Sequence, residues 1–398
     1  MKILVRRAIL GAIGILYNIF RLFTSIKADT ALFSAYSGSG VIDSPRYMLE
    51  ALSERDGFRI FAVSRDPARD SASLPEGVRA VRYMGAAHLR LLASAKFLVT
   101  NSMFPAFFRK RPGQTLLNTW HGTPMKALGY DIPGTTDDIA LLRRQFLEAD
   151  YLLYPNDFTM SKMMGAFDLG ESYRGKVLLC GYPRNAALFD GSGRETLRGE
   201  LGAEGKTIFV YMPTWRGVSV ADKGSREHGE RLRENLGVID RALGDGAILY
   251  VKLHTYEMKR IDLDRYSHIF KAPDGYEPYE FLSAADALIS DYSSVIFDFA
   301  NTGRPILLFT YDLEEYEGRR GMYISPGDMP FFRADNAEQL AARMNAIADG
   351  GEFNDGYVEF TAEFCAWDDP DNARRVNNAF FFGNEDGVRI IDFSDRRP

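Results

Sequence analysis

Short runs rich in β-branched and aromatic residues alternate along this chain with longer stretches in which apolar residues recur at helical spacing. Thr30–Gly38, Phe58–Ser64, Val78–Tyr83, Lys96–Asn101, Thr115–Gly122, Tyr151–Asn156 and Lys176–Pro183 read as strands or strand ends. Between them, Ala86–Ala95 and Ile139–Ala149 carry the helical period. This alternation predicts a mostly parallel sheet covered by helices. The strands run out into Gly, Asn, Ser and Pro, where such sheets place their ligand loops. The polar, Gly-rich stretch Phe189–Lys206 marks a boundary, and a second series follows. Lys206–Gly217, Ala247–His254, Ala285–Asp291 and Arg304–Asp312 read as strands, and Asn336–Ile347 as a late helix. Gly217–Gly229 is charged and aperiodic and reads as a loop. The pattern gives an α/β protein of two consecutive domains, 30–195 and 196–365, with a cleft between them. Residues 366–398 form a C-terminal helix and tail able to cross back to the first domain.

The first 29 residues depart from this pattern. Lys2, Arg6, Arg7, Arg21 and Lys27 face a single acid, Asp29, and enclose the apolar run AILGAIGILYNIF. That run of 13 residues is shorter than the roughly 20 needed to span a bilayer. An amphipathic helix lying on an anionic membrane surface fits the basic flanks; a packing helix with a basic rim, or a signal segment, fits the pattern as well.

Composition narrows the class. The 398 residues are 46% hydrophobic and 26% charged, enough apolar surface for packed domains rather than disorder. The formal charge of -6 argues against nucleic acid as a partner. Cys180 and Cys365 are the only cysteines, so neither a disulfide framework nor a thiolate zinc site is expected.

Three segments carry candidate chemistry. In Asn118–Gly129, NTWHGTPMKALG, a strand ends at Trp120 and His121 follows. Gly122 allows a tight backbone course, and Thr123 and Pro124 have the residue types of a helix start. A helix there would keep His121 neutral, as a general base requires; a histidine that satisfies a backbone carbonyl is the competing reading. The second segment carries Lys252 and His254, which share a strand face suited to a diphosphate clamp, with Arg216 past the preceding strand. The third runs from Asp291 through Ser293 and Ser294 into an apolar helical pattern. It reads as an anion site at a helix N-terminus or as simple capping by Asp291 or Ser293. Asp298 lies inside that helix and calls for a partner, either a donor group or Arg304. Arg319 and Arg320 follow in a charged segment read as a loop. Asp262 and Asp264 have the spacing of a metal pair but sit in polar sequence, so no metal site is assigned. P-loop, GxGxxG, HExxH, CxxC and GxSxG patterns do not occur.

Taken in order, these motifs resemble the CDP-glycerol glycerophosphotransferase family, which primes or polymerises teichoic acids and related envelope polymers. NTWHGTPMKALG, GYPRN (Gly181–Asn185), YMPTWR (Tyr211–Arg216), VKLH (Val251–His254) and ISDYSSVIFDF (Ile289–Phe299) carry the resemblance. Tyr316, Arg320, Gly321 and Tyr323 complete it. Thr255 and Ala186 depart from residues common in relatives. The resemblance implies a GT-B-like fold, two Rossmann-like domains facing a central cleft, with 30–195 on the acceptor side and 196–365 holding the nucleotide donor. It implies His121 as general base, His254 assisting at the donor diphosphate, and Arg216, Lys252, Ser293, Ser294 and Arg320 near its phosphates. Gly122, Thr123, Asp291 and Asp298 are supporting residues.

The expected reaction moves glycerol phosphate from CDP-glycerol to a hydroxyl of a lipid-linked or polymeric glycan acceptor, releasing CMP. The expected place is the cytoplasmic membrane face, held peripherally. Without the long N-terminal region of some polymerases, a primase or short-chain enzyme is favoured. CDP-glycerol is a substrate rather than a cofactor; Mg²⁺ recruited by substrate phosphates and a homo-oligomer are both compatible with the sequence. CDP-ribitol as donor, a nucleotide-sugar glycosyltransferase on the same fold, and a non-catalytic polymer-binding module are the alternatives.

Overall fold

The computed structural model describes residues 2–134, 139–214, 216, 224–253, 261–351 and 356–395, with the side chains of 2–7, 224–226, 319 and 320 excepted. Two compact units result. The first comprises Met1–His121, Gly134–Ala186 and Trp367–Pro398; the second comprises Gly122–Pro133 and Ala187–Ala366.

In the first unit the strands are β1 (Lys27–Ser34), β2 (Arg59–Ser64), β3 (Arg79–Arg82), β4 (Ala95–Thr100), β5 (Thr115–Asn118), β6 (Tyr151–Tyr154) and β7 (Lys176–Leu179). With the C-terminal strand Arg389–Asp392 they form one eight-stranded sheet. Its order is C-terminal strand, β7, β6, β5, β4, β1, β2, β3. Every pairing is parallel except that of the C-terminal strand with β7. Chain order reverses between the paired neighbours β1 and β4, so the connections leaving them turn to opposite faces of the sheet and leave a crevice at the carboxyl ends of the two strands. Tail residues therefore do complete the first unit: helix Asn372–Phe382 packs Val376, Ala379 and Phe380 into the core with Phe33, Leu49 and Phe97.

The second unit repeats the plan with β8 (Thr207–Tyr211), β9 (Ala247–Val251), β10 (Ile269–Lys271), β11 (Ala287–Ser290), β12 (Ile306–Phe309) and β13 (Phe332–Ala334). The sheet is wholly parallel in the order β10, β9, β8, β11, β12, β13, with its reversal between β8 and β11. Helices cover both faces of such a sheet, so strands such as AILYV and ILLF are buried throughout and show no alternation. Each fully buried Leu or Ile contributes about 1.5–3 kcal/mol, which makes these strands the stable frame beneath the loops. Helix Ala337–Ala348 matches the late helix read from the sequence and is capped by Asn336 on the Gln339 N–H.

The sequence placed Gly122–Pro133 within 30–195, yet it belongs to the second unit. Its backbone bonds to that unit: Lys126 bridges to Met322, Ala127 N–H donates to Gly321 O at 3.1 Å, and Tyr323 N–H donates to Met125 O at 2.8 Å. Gly321 has φ +70°, the left-handed course that lets this exchange close.

The N-terminal helix, Lys2–Phe23, is 22 residues long and longer than its apolar run. No helix among the described residues is long and apolar enough to cross a membrane. One face packs on the first unit. Gly14 lies against Phe107, the buried Tyr17 ring lies 5.3 Å from the Phe107 ring, and its hydroxyl donates to Arg109 O at 3.0 Å. The other face leaves Ile9, Leu10, Ile15, Leu16, Ile19, Leu22 and Phe23 exposed, Leu22 and Phe23 at 80% and 83%.

Candidate active site

The loops at the two strand-order reversals carry the chemistry. In the first unit, β1 leads to Tyr36, β4 to Asn101, and β5 to His121 three residues beyond its end at Asn118. The Asn118 carboxamide accepts the Trp120 N–H at 2.8 Å and donates to Ser102 O at 3.2 Å, which bends the chain sharply after β5. Trp120 adopts φ +52°, a left-handed course costing a non-glycine residue about 1–2 kcal/mol, and Gly122 follows at φ +149°. His121 is held between them, its ring 4.0 Å from the Trp120 ring.

The His121 Nδ1 lies 2.8 Å from Asn101 O. A carbonyl only accepts, so Nδ1 carries the proton and Nε2 carries the lone pair. Burial depresses the pKa of His121; the Asn101 carbonyl and the Asp43 carboxylate pull it up, and Arg184 pushes it down, leaving it below the ordinary value. The imidazole is thus neutral at pH 7 and presents a base. No helix opens at Pro124, and Thr123 caps none; the segment is irregular as far as the 3₁₀ turn Gly129–Asp131. Desolvation, not a helix dipole, keeps His121 uncharged.

Around this histidine sit residues to which the sequence motifs gave no role. Tyr36 lies edge-on to His121 with ring centroids 5.7 Å apart. Its hydroxyl donates to Asp43 Oδ2 at 2.5 Å, and Arg184 donates to the same oxygen at 2.9 Å. Asp43 and Arg184 are 3% and 1% exposed, a fully buried ion pair. Tyr36, Ser37, Asp43 and Trp120 are four of the six non-glycine residues with positive φ among those described. Strain of this kind persists only where surrounding structure enforces it, and it gathers at functional sites.

In the second unit, β8 leads to Arg216, β11 to Asp291 and β12 to Asp312. Arg216 donates from Nε to Asp312 Oδ2 at 2.7 Å and from Nη2 to Asp312 Oδ1 at 3.0 Å, and its Nη2 lies 2.8 Å from Asp291 Oδ2. The remaining Nη1 donates to Thr214 O at 2.8 Å. Burial opposes the charge, but the two carboxylates outweigh it and raise the Arg216 pKa above its ordinary value. Burial likewise works against the Asp312 anion, and Arg216 reverses that, leaving the carboxyl below the usual range. The guanidinium lies 4.7 Å and 5.0 Å from the rings of Tyr292 and Tyr316, which stack at 4.0 Å. Tyr292 also donates to Asp312 Oδ1 at 2.9 Å. Arg216 is therefore committed to two acids, and Asp291 carries Arg216 and the Thr214 and Tyr292 N–H groups instead of capping a helix. Sequence alone did not link these groups because they meet only across neighbouring strand ends.

Ser293 and Ser294 sit half-buried at the start of helix Val295–Ala300, which has only six residues. Ser294 makes no capping bond through its side chain, and Ser293 Oγ accepts the Val295 N–H at 3.5 Å. Asp298 accepts from Tyr279 Oη at 2.6 Å, whereas Arg304 donates to the carbonyls of Ser283 and Ala285. Lys252 follows β9 directly and is partly buried. Desolvation lowers its pKa, partly offset by Glu277 and Asp274. His254 lies outside the described residues, as do 217–223 of the charged segment after Arg216. The remainder of that segment opens helix Gly224–Ala242 instead of continuing as a loop. There His228 Nδ1 meets Tyr311 Oη at 3.2 Å; burial and Arg216 depress its pKa to about 4. The stretch after Asp312 is also a helix, Leu313–Arg320, which brings Tyr316 onto Tyr292; Arg320 ends it, and its side chain is not described. No group of three or more His, Cys, Asp or Glu among the described residues is arranged to hold a metal ion. The Asp291–Asp312 pair is neutralised by Arg216 instead.

The family model for CDP-Glycerol:Poly(glycerophosphate) glycerophosphotransferase matches residues 16–382. The chain belongs to this family. Its similarity to the teichoic acid poly(glycerol phosphate) polymerase of Bacillus spizizenii is 30% identity over 382 residues, covering 90% of this chain and 94% of that protein. Against the polymerase of the same description from Staphylococcus epidermidis it is 29% over 325 residues, covering 78% of this chain but only 44% of that protein. The solved wall teichoic acid polymerase TagF superposes with a TM-score of 0.80 at 25% identity, covering 94% of this chain and 95% of that one. This glycerophosphotransferase-family chain thus has the GT-B-like fold, with two Rossmann-like units. Both of its candidate clusters lie where such sheets bind ligands.

Proposed function

We propose that this protein transfers glycerol phosphate from CDP-glycerol to a hydroxyl of a lipid-linked or polymeric acceptor of the teichoic acid type. Family membership supports the reaction class. The observation that carries the role of this chain is the His121 tautomer, with Nδ1 spent on Asn101 O and Nε2 left as a neutral base. The acceptor hydroxyl oxygen attacks the phosphorus next to glycerol. The bond from that phosphorus to the CMP oxygen breaks, and CMP leaves with the electron pair. His121 Nε2 takes the hydroxyl proton as the new phosphodiester forms. Offsetting the phosphate charge falls to Lys252, Ser293 and Ser294 of the second unit, and the resemblance adds His254 and Arg320. Arg216 acts there by holding Asp291 and Asp312.

A second part of the proposal places the protein on the cytoplasmic face of the membrane. The exposed stripe Ile9, Ile15, Leu16, Ile19, Leu22 and Phe23 is supported from behind by Tyr17 and Gly14, so it can enter the lipid interface while the helix stays docked. Lys2, Arg6 and Arg7 of the same helix add attraction to anionic lipid.

The test is a screen of the purified protein with CDP-glycerol, CDP-ribitol and UDP-sugars against lipid-linked acceptors, read by product mass. CMP release coupled to gain of one glycerol phosphate is expected. Turnover of only CDP-ribitol or a UDP-sugar, or of none, refutes the proposal. A chelator arm decides whether Mg²⁺ accompanies the substrate.

A further inference from the structure

The GYPRN motif has no assigned step in the reaction above, although its arginine is the largest fully buried side chain among the described residues. Arg184 lies in the turn Pro183–Asn185, its guanidinium 4.6 Å from the Tyr182 ring and bonded to Asp43. Asp43 in turn sits at φ +63° at the start of helix Asp43–Ser53, with its Oδ1 accepting the Ser44 N–H at 2.5 Å. A buried ion pair is weak evidence for stability, because desolvation offsets most of the Coulomb gain. A strained backbone adds a further cost. Such a pair calls for a use.

We propose that Asp43 is the positioning residue for His121: locked by Arg184 and Tyr36, its carboxylate supplies the negative charge that stabilises the imidazolium formed when Nε2 takes the acceptor proton. Three observations support this. Tyr36 bridges the two, its hydroxyl on Asp43 and its ring edge on His121. Asn101 ties the same loops together, its carbonyl on His121 Nδ1 and its carboxamide oxygen accepting the Tyr36 N–H at 2.9 Å. The charges acting on His121 are Asp43, which favours its protonated form, and Arg184, which opposes it; His121 lowers the Asp43 pKa in return. Asp43 acts on the imidazole through its charge, in a buried medium of low polarity where one charge still counts. Arg184 keeps Asp43 ionised and tempers it, so that His121 stays a neutral base before the reaction and is stabilised as a cation during it.

The inference rests on His121 as the base, and its test separates the two ideas. Asp43→Asn keeps the shape and tolerates positive φ. It is expected to lower kcat about tenfold or more while moving the acid limb of the kcat profile to lower pH by roughly half a unit or more. Arg184→Gln removes the opposing charge and is expected to move that limb upward. A role confined to folding would change activity without shifting the limb in opposite directions. The His121 titration is also read directly by NMR of ¹³C-labelled histidine; with five histidines in the chain, a His121→Asn spectrum assigns it. Opposite shifts in the NMR titration support the proposal, and the same shifts in the rate profile show that His121 is the base. NMR shifts with an unmoved rate profile would retain the coupling and refute the base. An unmoved or same-direction NMR titration in either folded variant overturns the proposal; if one variant fails to fold, the other decides alone.

Discussion

Replacing Arg216 with methionine would remove a cation that is ion-paired with two buried carboxylates, Asp291 and Asp312. Asp291 is fully buried and the Asp312 side chain is 8% exposed, so neither regains water when the guanidinium is lost. Breaking a buried pair by removing one partner costs about 3–5 kcal/mol, and here a single deletion leaves two acids to repel each other. For a unit of this size each kcal/mol lowers Tm by about 2–4 °C, so the second unit should melt roughly 6–20 °C lower at pH 7. The sign of the pH dependence gives the sharper check. In the natural protein Asp312 has a folded pKa below its unfolded value. Its contribution is full above the unfolded value, near 3.9, and is lost as pH falls through the folded one. In Arg216→Met one of the two carboxyls has its folded pKa raised, so the variant gains stability as pH falls from 7 toward 5. Thermal unfolding by circular dichroism across that range measures both. A Tm drop below about 2 °C, or a deficit that does not shrink on acidification, would refute this account of Arg216. A raised KM with unchanged Tm would return Arg216 to direct phosphate binding.

Other outcomes follow from the same geometry. His121→Asn should lower kcat by about 10²–10⁴ with little change in donor affinity, measured by turnover and by calorimetric titration with CDP-glycerol. Because His121 is held below its ordinary pKa, activity in the natural protein should persist below pH 6.5 and fall only as Nε2 becomes protonated, which a kcat profile from pH 5 to 8 will show. Ile15→Glu together with Ile19→Glu should reduce binding to anionic vesicles in a flotation assay and leave Tm unchanged, since both side chains are exposed. Gly321→Ala should cost about 1–2 kcal/mol, seen as a few degrees in Tm, because φ +70° is strained for alanine and its Cβ would lie 3.4 Å from that of Ala127.

Hydrophobic pattern was enough to find most strands. β9, β11 and β12 are buried along their length and β8 in all but its first residue, and burial of that kind writes itself as continuous apolar runs. The strands it missed, β10, β13 and the C-terminal strand, have three, three and four residues and lie at sheet edges, where one side is open and the apolar signal fades. The helix expected at Pro124 failed for a different reason. Local propensity there is overridden by Met125 and Ala127, whose backbone groups pair with the segment around Gly321, about 200 residues away in sequence and invisible to any local reading.

The sequence by itself determined that this is a two-part parallel α/β protein of the glycerophosphotransferase family with a histidine in the loop that follows a strand; the strand ends at Asn118 rather than at Trp120 as read from the sequence. These are consequences of which residues are apolar and which motifs occur, properties a chain carries before it folds. Tertiary structure alone decided how that histidine is tuned and where the arginines go. Strands distant in sequence become neighbours at the points where strand order reverses, bringing Tyr36 and Asn101 to His121 and Asp291 and Asp312 to Arg216. Charge interactions depend on separation in space and on exclusion of water, and neither quantity is defined until the sheets have formed.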